Sequence, residues 1–195
     1  IHISAECYPA AKAGGLGDVV GALPKYLNQI GTSTAVVIPK YLTKWIAKQH
    51  WVLEFEGHVS LNHNQVYYNI QRLDDETNQT LGYPLYVVDV PGMYDREGVY
   101  IDSYTGYGYR DEVERALSFQ QAVLQWISTW EHRPKVLHCH DHHTGLIPFM
   151  VQHALQYKHL AHIPTVFTIH NGEYHGAFHW NKVHLLPPFE MQAGG

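Results

Sequence analysis

Apolar residues along the chain fall into short runs separated by segments in which they recur every three or four positions, the alternation expected of an α/β protein. Ile1 to Ser4 reads as a strand already under way, which implies a Met and one or two residues before it. From Leu16 to Ile30, the positions Leu16, Val19, Val20, Leu23, Tyr26, Leu27 and Ile30 trace one helical stripe, and Gly31 stands where a helix C-cap usually falls. Thr34 to Ile38 reads as a buried strand closed by Pro39. A strand, a helix and a strand at this spacing predict a parallel sheet with a right-handed crossover.

The middle of the chain changes period. Trp51 to Ser60, Gln65 to Leu73 and Pro84 to Val90 alternate polar and apolar residues, with Asn62-His63-Asn64 and Asp74 to Gln79 as connections. They predict antiparallel hairpin strands inserted between parallel units. Asp111 to Trp130 is the strongest helix, with Val113, Leu117, Ala122, Val123, Trp126, Ile127 and Trp130 on its apolar side. A strand over Lys135 to Cys139, a helix over Thr144 to Tyr157 and a strand over Pro164 to Ile169 follow, whereas Leu185 to Gly195 has no period.

Composition narrows the function classes. The chain has 195 residues, 45% of them apolar and 16% charged, with five Trp, 14 Tyr and six Phe, enough buriable surface for one ordered domain. Thirteen basic against 18 acidic residues give a net charge of −5, and no Lys/Arg-rich run is present, which argues against nucleic acid or anionic lipid as the main partner. Two isolated cysteines, Cys7 and Cys139, fit a reduced, cytoplasmic chain, and no apolar stretch reaches the length of a membrane span. Histidine is the unusual entry in the composition, at 16 residues.

An open α/β sheet binds ligands beyond the carboxyl ends of its parallel strands. The residues after Ser4, Cys139 and Ile169 are the places to look. After the first strand comes Lys12-Ala13-Gly14-Gly15-Leu16-Gly17-Asp18. Its glycines let backbone N–H groups approach a phosphate or sugar oxygens, the following helix N-terminus favours negative charge, and Lys12 adds a mobile cation; a flexible loop with a good cap reads equally well. Asp18 suits either the helix dipole or a substrate hydroxyl. The spacing does not match a dinucleotide fingerprint, and no P-loop Gly-Lys-Ser/Thr is present.

The second strand end carries His138-Cys139-His140-Asp141-His142-His143, four imidazoles and a carboxylate in six residues. Strand alternation puts His138 and His140 on one face. A binuclear zinc hydrolase would read His-x-His-x-Asp-His; here the Asp comes one position early, and further ligands would have to come from His170 or His175. A metal-dependent hydrolase built on His138 to His143 therefore stays as an alternative, as does a glucan-binding module suggested by the aromatic content. The third strand end, His170-Asn171-Gly172-Glu173-Tyr174, offers hydrogen-bonding groups for sugar hydroxyls and a ring to pack on a sugar face, although Asn171 also suits an Asx turn.

Four segments in order, Ser4 to Pro9 with Lys12 to Val19, Met93 to Gly98, His138 to Leu146, and Thr168 to Gly176, resemble the bacterial glycogen synthase and plant starch synthase family. That resemblance, running from Ile1 to about Phe178, implies one domain over residues 1–195: the Rossmann-like N-terminal half of a GT-B fold, with a parallel sheet, helices on both faces and an inserted hairpin region. It further implies a nucleotide-binding C-terminal domain of the same polypeptide beyond this chain. The implied activity is retaining transfer of glucose from ADP-glucose to the non-reducing end of an α-1,4-glucan, with no cofactor or metal. The implied roles are Lys12, Asp18 and His140 in catalysis; Gly14, Gly15 and Gly17 at the diphosphate; Tyr94 along the acceptor path; and Asp141, His170, Asn171 and Tyr174 at the substrate. The family usually has Trp where His142 stands and often Gln where His175 stands, and Gly172-Glu173 replaces an apolar pair.

Overall fold

The computed structural model describes residues 1–174, 176 and 178–190. Seven strands, β1 (His2–Ile3), β2 (Val36–Pro39), β3 (Trp51–Leu61), β4 (Asn64–Leu73), β5 (Leu85–Asp89), β6 (Leu137–His140) and β7 (Thr165–Thr168), form one sheet in the order β3-β4-β5-β2-β1-β6-β7. From β5 to β7 neighbours run parallel, while β3 and β4 add an antiparallel hairpin at one edge. Helices α1 (Gly15–Gln29), α2 (Lys44–Lys48), α3 (Asp75–Leu81), α4 (Glu112–Ser128) and α5 (Leu146–His153) connect and cover it. The fold is mixed α/β, as the sequence pattern predicts. Among the described residues no helix is long and apolar enough to cross a membrane.

The β1-α1-β2 unit positions the site. Strand β2 carries no polar–apolar alternation because every one of its residues is buried, as in a central parallel strand covered on both faces. Helix α1 ends where Gly31, at φ +89, donates to Asn28 O at 3.0 Å while Thr32 N–H reaches Leu27 O at 2.9 Å, a Schellman end. Its buried face is narrower than the apolar stripe and rotated from it: Leu16, Gly17, Val20 and Pro24 face in, whereas Val19, Tyr26 and Ile30 are exposed. The small residues explain the rotation. A Cβ on Gly21 would lie 2.5 Å from Tyr8 O, so the helix approaches the chain after β1 more closely than a side chain would allow.

Two stretches differ from expectation. Pro84 to Val90 is not simply a third hairpin strand: β5 pairs antiparallel with β4 but parallel with β2, and so joins the two parts of the sheet. Asp74 to Gln79, expected as a connection, begins α3, with Asp74 Oδ1 accepting from Thr77 N–H at 3.0 Å and Gly82 at φ +88 closing the end. None of its residues is buried, so caps rather than an apolar stripe define it.

The remaining elements fall close to their predicted ranges. Helix α5 is shorter than predicted because the chain turns extended at Ala154, which bridges to Phe189. Gln120, buried on α4, accepts from Leu146 and Ile147 N–H at 2.9 and 3.2 Å and so caps α5 from a distance. The aperiodic tail follows a 3₁₀ turn over Trp180–Leu185, and its last five positions, 191–195, lie outside the described residues, as does His175.

Candidate active site

The segment after β1 is held from beneath by Glu6. This buried carboxylate accepts from Ala13 and Gly14 N–H through Oε1, the latter at 2.8 Å, and from Tyr100 Oη through Oε2. Burial, reinforced by the charges around it, raises the Tyr100 pKa, keeping the phenol a donor. Arg115, also buried, donates from Nε to Met93 O at 2.9 Å, and its guanidinium stacks 4.1 Å from the Tyr109 ring, fastening the chain around Tyr100 to α4. With its underside fixed, the loop presents Lys12, Gly14, Gly15 and Asp18 to solvent.

Neither packing nor backbone conformation demands the first two glycines. A Cβ on Gly14 or Gly15 would meet no atom within 4 Å, and Gly14 sits at φ −150, open to any residue. Their bareness leaves the α1 N-terminus accessible, and Gly14 supplies no side-chain cap. The N–H groups of the first turn and the positive end of the helix dipole favour negative charge there. Gly17 is different: a Cβ there would crowd Lys12 Cγ at 3.1 Å, so it sets the path of the lysine stem. Lys12 Nζ pairs with Asp18 Oδ2 at 2.8 Å, both half-exposed. An exposed pair of this kind is worth about 0–1 kcal/mol, little enough for a polyanion to separate.

At the ends of β6 and β7 the histidines form a column. Register aligns His2 with His138, and the rings stack: His2 on His138 at 4.5 Å, His138 on His140 at 4.3 Å, His140 on His170 at 5.2 Å between centroids. His140 is 1% exposed, with Nε2 2.8 Å from His2 Nδ1 and Nδ1 2.9 Å from His170 Nε2. Both ring nitrogens are thus engaged within the column, whose partly exposed member is His170. Burial first, and then the neighbouring imidazoles, push His140 down to about 2 and His2 down to about 3, so both are neutral at physiological pH.

Asp141 is spent on geometry. It adopts φ +57, ψ 180, a conformation costing about 1–3 kcal/mol for a residue with a side chain, and its Oδ1 accepts from His170 N–H at 2.7 Å. The carboxylate therefore ties the end of β6 to the end of β7. His142 packs on the backbone of Gly176, where a Cβ would lie 2.3 Å from its ring, and His143 stacks on Tyr100 at 4.6 Å. Burial drives His143 down to about 3. Asn171 Oδ1 accepts from Glu173 N–H at 3.0 Å, an Asx turn that leaves its amide nitrogen outward, and Tyr174 is exposed.

Tyr94 lies elsewhere. It is 5% exposed, its hydroxyl donates to Arg115 O at 2.6 Å, and the Arg115 guanidinium covers its ring at 4.6 Å. A tyrosine after a strand carries the same sequence signal in a core as at a surface. The residues sequence reasoning passed over are His2, Glu6, Tyr100 and Arg115. Only Glu6, a lone carboxylate directly after the first strand, stood out in the sequence; Arg115 follows three acidic residues in five positions and reads as a solvated helix face.

The imidazoles do not converge on a metal. His2, His138 and His140 each offer a nitrogen within 4.8 Å of the others. A ligating lone pair lies in the ring plane, however, and these planes are inclined by only 11–29°, stacked rather than converging on one point. Two of the nitrogens are also bonded to each other. This arrangement does not fit the metal centre of the hydrolase alternative. Both cysteines are free and buried, with thiols pushed by burial up to about 12, poor ligands in that state.

The family described as the starch synthase catalytic domain matches residues 1–193. Glycogen synthase from Flavobacterium johnsoniae is 44% identical over 191 residues, covering 98% of this chain and 38% of that protein. Glycogen synthase from Anoxybacillus flavithermus is 36% identical over 180 residues, covering 91% of this chain and 35% of that protein. In three dimensions the chain is similar to the catalytic domain of starch synthase IV from Arabidopsis thaliana bound to ADP and acarbose. The TM-score is 0.74 and the identity 26%, over 89% of this chain and 34% of that one. The chain thus spans little more than a third of the length of the proteins it matches.

Proposed function

The chain belongs to the starch synthase catalytic domain family, and on that premise we propose that it forms the acceptor-side half of a glucosyltransferase. The reaction is retaining transfer of glucose from ADP-glucose to the non-reducing end of an α-1,4-glucan, in a cytoplasmic enzyme whose C-terminal domain supplies most of the nucleotide site. The observation that carries the reading is the bare α1 N-terminus beside Lys12, propped by Glu6 at the carboxyl end of β1.

Each residue then has a task. With Gly14 N–H held by Glu6, the N–H groups at Gly15 and Gly17 face the diphosphate past the bare Gly14, and Lys12 leaves Asp18 to neutralise the charge that grows on the departing phosphate. Asp18, released, accepts from a hydroxyl of the transferring glucose or the acceptor. His170 and the Asn171 amide line the floor under the sugar, with Tyr174 against its face and Asp141 and His140 holding His170 in place. The leaving phosphate itself takes the proton of the attacking hydroxyl as an oxocarbenium-like sugar passes between them, a route that needs no carboxylate nucleophile. Closure of the second domain excludes water, since hydrolysis is the competing reaction. The scheme needs no metal.

The test is turnover of the complete protein with ADP-glucose and glycogen. Lys12→Ala is expected to lower kcat at least about 100-fold, the range for loss of one preorganised charge-stabilising group. Turnover unchanged by Lys12→Ala would remove the site assignment, and glucan binding without turnover would leave only a binding module.

A further inference from the structure

We propose that the hairpin from Ile101 to Gly108 and the groove beside it form a second carbohydrate site, with Tyr107 as its stacking ring, which holds an α-glucan away from the end that reacts. The identity of that glucan as the acceptor rests on the reading of this chain as half of a glucosyltransferase; sugar binding at the groove is tested separately.

The hairpin holds aromatic rings in water on an ordered backbone. Ile101 bridges to Gly108, Asp102 N–H donates to Tyr107 O at 2.8 Å, and Gly106, at φ +72, donates to Asp102 O at 2.8 Å. Asp102 Oδ1 accepts from Tyr104 N–H at 2.9 Å, and Thr105 Oγ1 from Tyr107 N–H at 3.3 Å. At the base, the buried Tyr109 donates to Glu97 O, and the guanidinium groups of Arg96 and Arg115 lie 5.2 and 4.1 Å from its ring. Tyr107 is nevertheless 78% exposed and Tyr104 97%. A ring on a backbone tied this closely meets a ligand with only its two side-chain torsions left to order, the economy that makes tyrosine a frequent contact residue.

The groove beside Tyr107 has a volume of about 640 Å³ and is also lined by Arg96, Asp102, Thr105, Arg110 and Asp111. That lies within the range of roughly 300–1,000 Å³ usual for small-molecule sites. Its charges cancel. Two arginines stand with two aspartates, and Arg96 grips Asp111 through both guanidinium nitrogens, each at 2.8 Å. A lining without net charge favours neither a phosphate nor an amine. It offers forked donors and carboxylate acceptors next to an aromatic face, which fits a neutral sugar ring, with its apolar C–H face and its rim of neighbouring hydroxyls.

Position ties the groove to the glycine loop. Tyr100 precedes Ile101, and Ile101 pairs with Gly108, so the Cα atoms of Tyr100 and Tyr107 stand within about 13 Å of each other. Tyr100 Oη donates to Glu6, the carboxylate that braces Ala13 and Gly14. One side-chain bond therefore joins the hairpin to the loop, and a single extended glucan can touch both. Long acceptors gain the second contact, and short ones do not reach it.

Hydroxyl-radical footprinting of the complete wild-type protein, with maltoheptaose and without nucleotide sugar, reads the groove directly. Tyr107 should be shielded. Tyr107→Ala removes a surface ring and should weaken maltoheptaose binding by about 5-fold to 30-fold, the loss typical of truncating one central contact tyrosine, whereas Tyr107→Phe keeps the ring and most of the affinity. In transfer assays Tyr107→Ala should raise KM for glycogen by a similar factor, with KM for maltotriose moving less than about twofold. An unshielded Tyr107, or an unchanged KM for glycogen in folded Tyr107→Ala, overturns the proposal. Equal losses for glycogen and maltotriose overturn it too, because they make the hairpin part of the reacting site. If Tyr107→Ala does not fold, the wild-type footprint still decides. Shielding of Tyr107 in a protein that transfers no glucose supports the groove and removes the functional reading. Transfer without shielding does the reverse.

Discussion

Replacing Gly15 by Ala separates folding from function at the glycine loop. Gly15 is the first residue of α1, and a Cβ there meets no atom within 4 Å. Alanine should therefore stabilise the helix, by up to about 1 kcal/mol for Gly→Ala in a helix. For a chain of this size that is a rise in Tm of roughly 1–4 °C. Nucleotide binding should move the other way. A methyl placed where the diphosphate meets the helix N–H groups acts as overpacking, typically about 1–3 kcal/mol, or roughly 5-fold to 150-fold in Kd. Gly21→Ala is the control: its Cβ would lie 2.5 Å from Tyr8 O, a backbone atom that cannot swing away, and it should lose about 1–3 kcal/mol of stability. Thermal unfolding followed by circular dichroism and calorimetric titration with ADP read the two effects in the complete protein. Gly15→Ala that destabilises as Gly21→Ala does, or that binds ADP like the wild type, would refute the claim that these glycines are bare for a ligand.

Two further outcomes follow from the histidine end of the site. Asp141 combines a strained backbone with the bond to His170 N–H, so Asp141→Gly and Asp141→Ala both lose the bond but only the glycine relieves the strain; urea unfolding should find the glycine variant more stable by about 1–3 kcal/mol. His2 and His140 have folded pKa values of about 3 and about 2, below the ordinary 6.5, so between these values the unfolded chain binds protons that the folded chain does not. Stability should thus fall as pH drops below about 6.5, by up to about 1.4 kcal/mol per pH unit for each histidine, and His140→Gln should flatten that slope in urea titrations between pH 7 and 5.

How far the sequence foretells the structure depends on how local each signal is. The β1-α1-β2 unit is legible because its cues are neighbours: an apolar run, a helical period, and Gly31 at the end. The glycine loop is legible for the same reason. What the pattern misses is set by distant partners. The double pairing of β5 depends on β2, some 50 residues away along the chain, and its alternation says nothing of which neighbour runs parallel. Tyr94 carries a polar tip that reads as a surface group until Arg115 is seen covering it. His140 reads as a free imidazole because the residue that occupies its Nε2, His2, lies 138 positions earlier. Glu6 shows the same limit: its task, bracing the N–H groups of Ala13 and Gly14, appears only when the chain turns back on itself. Local residue types mark the strand ends, and nonlocal bonds set which imidazole is enclosed and which is partly exposed.

The most direct measurement of the central claim is the product itself. The complete protein is incubated with ADP-glucose and a short maltooligosaccharide and followed by ¹H NMR. The account predicts a growing α-1,4 anomeric signal matched by ADP release. Free glucose, a β-linked product, or no consumption of ADP-glucose would contradict it.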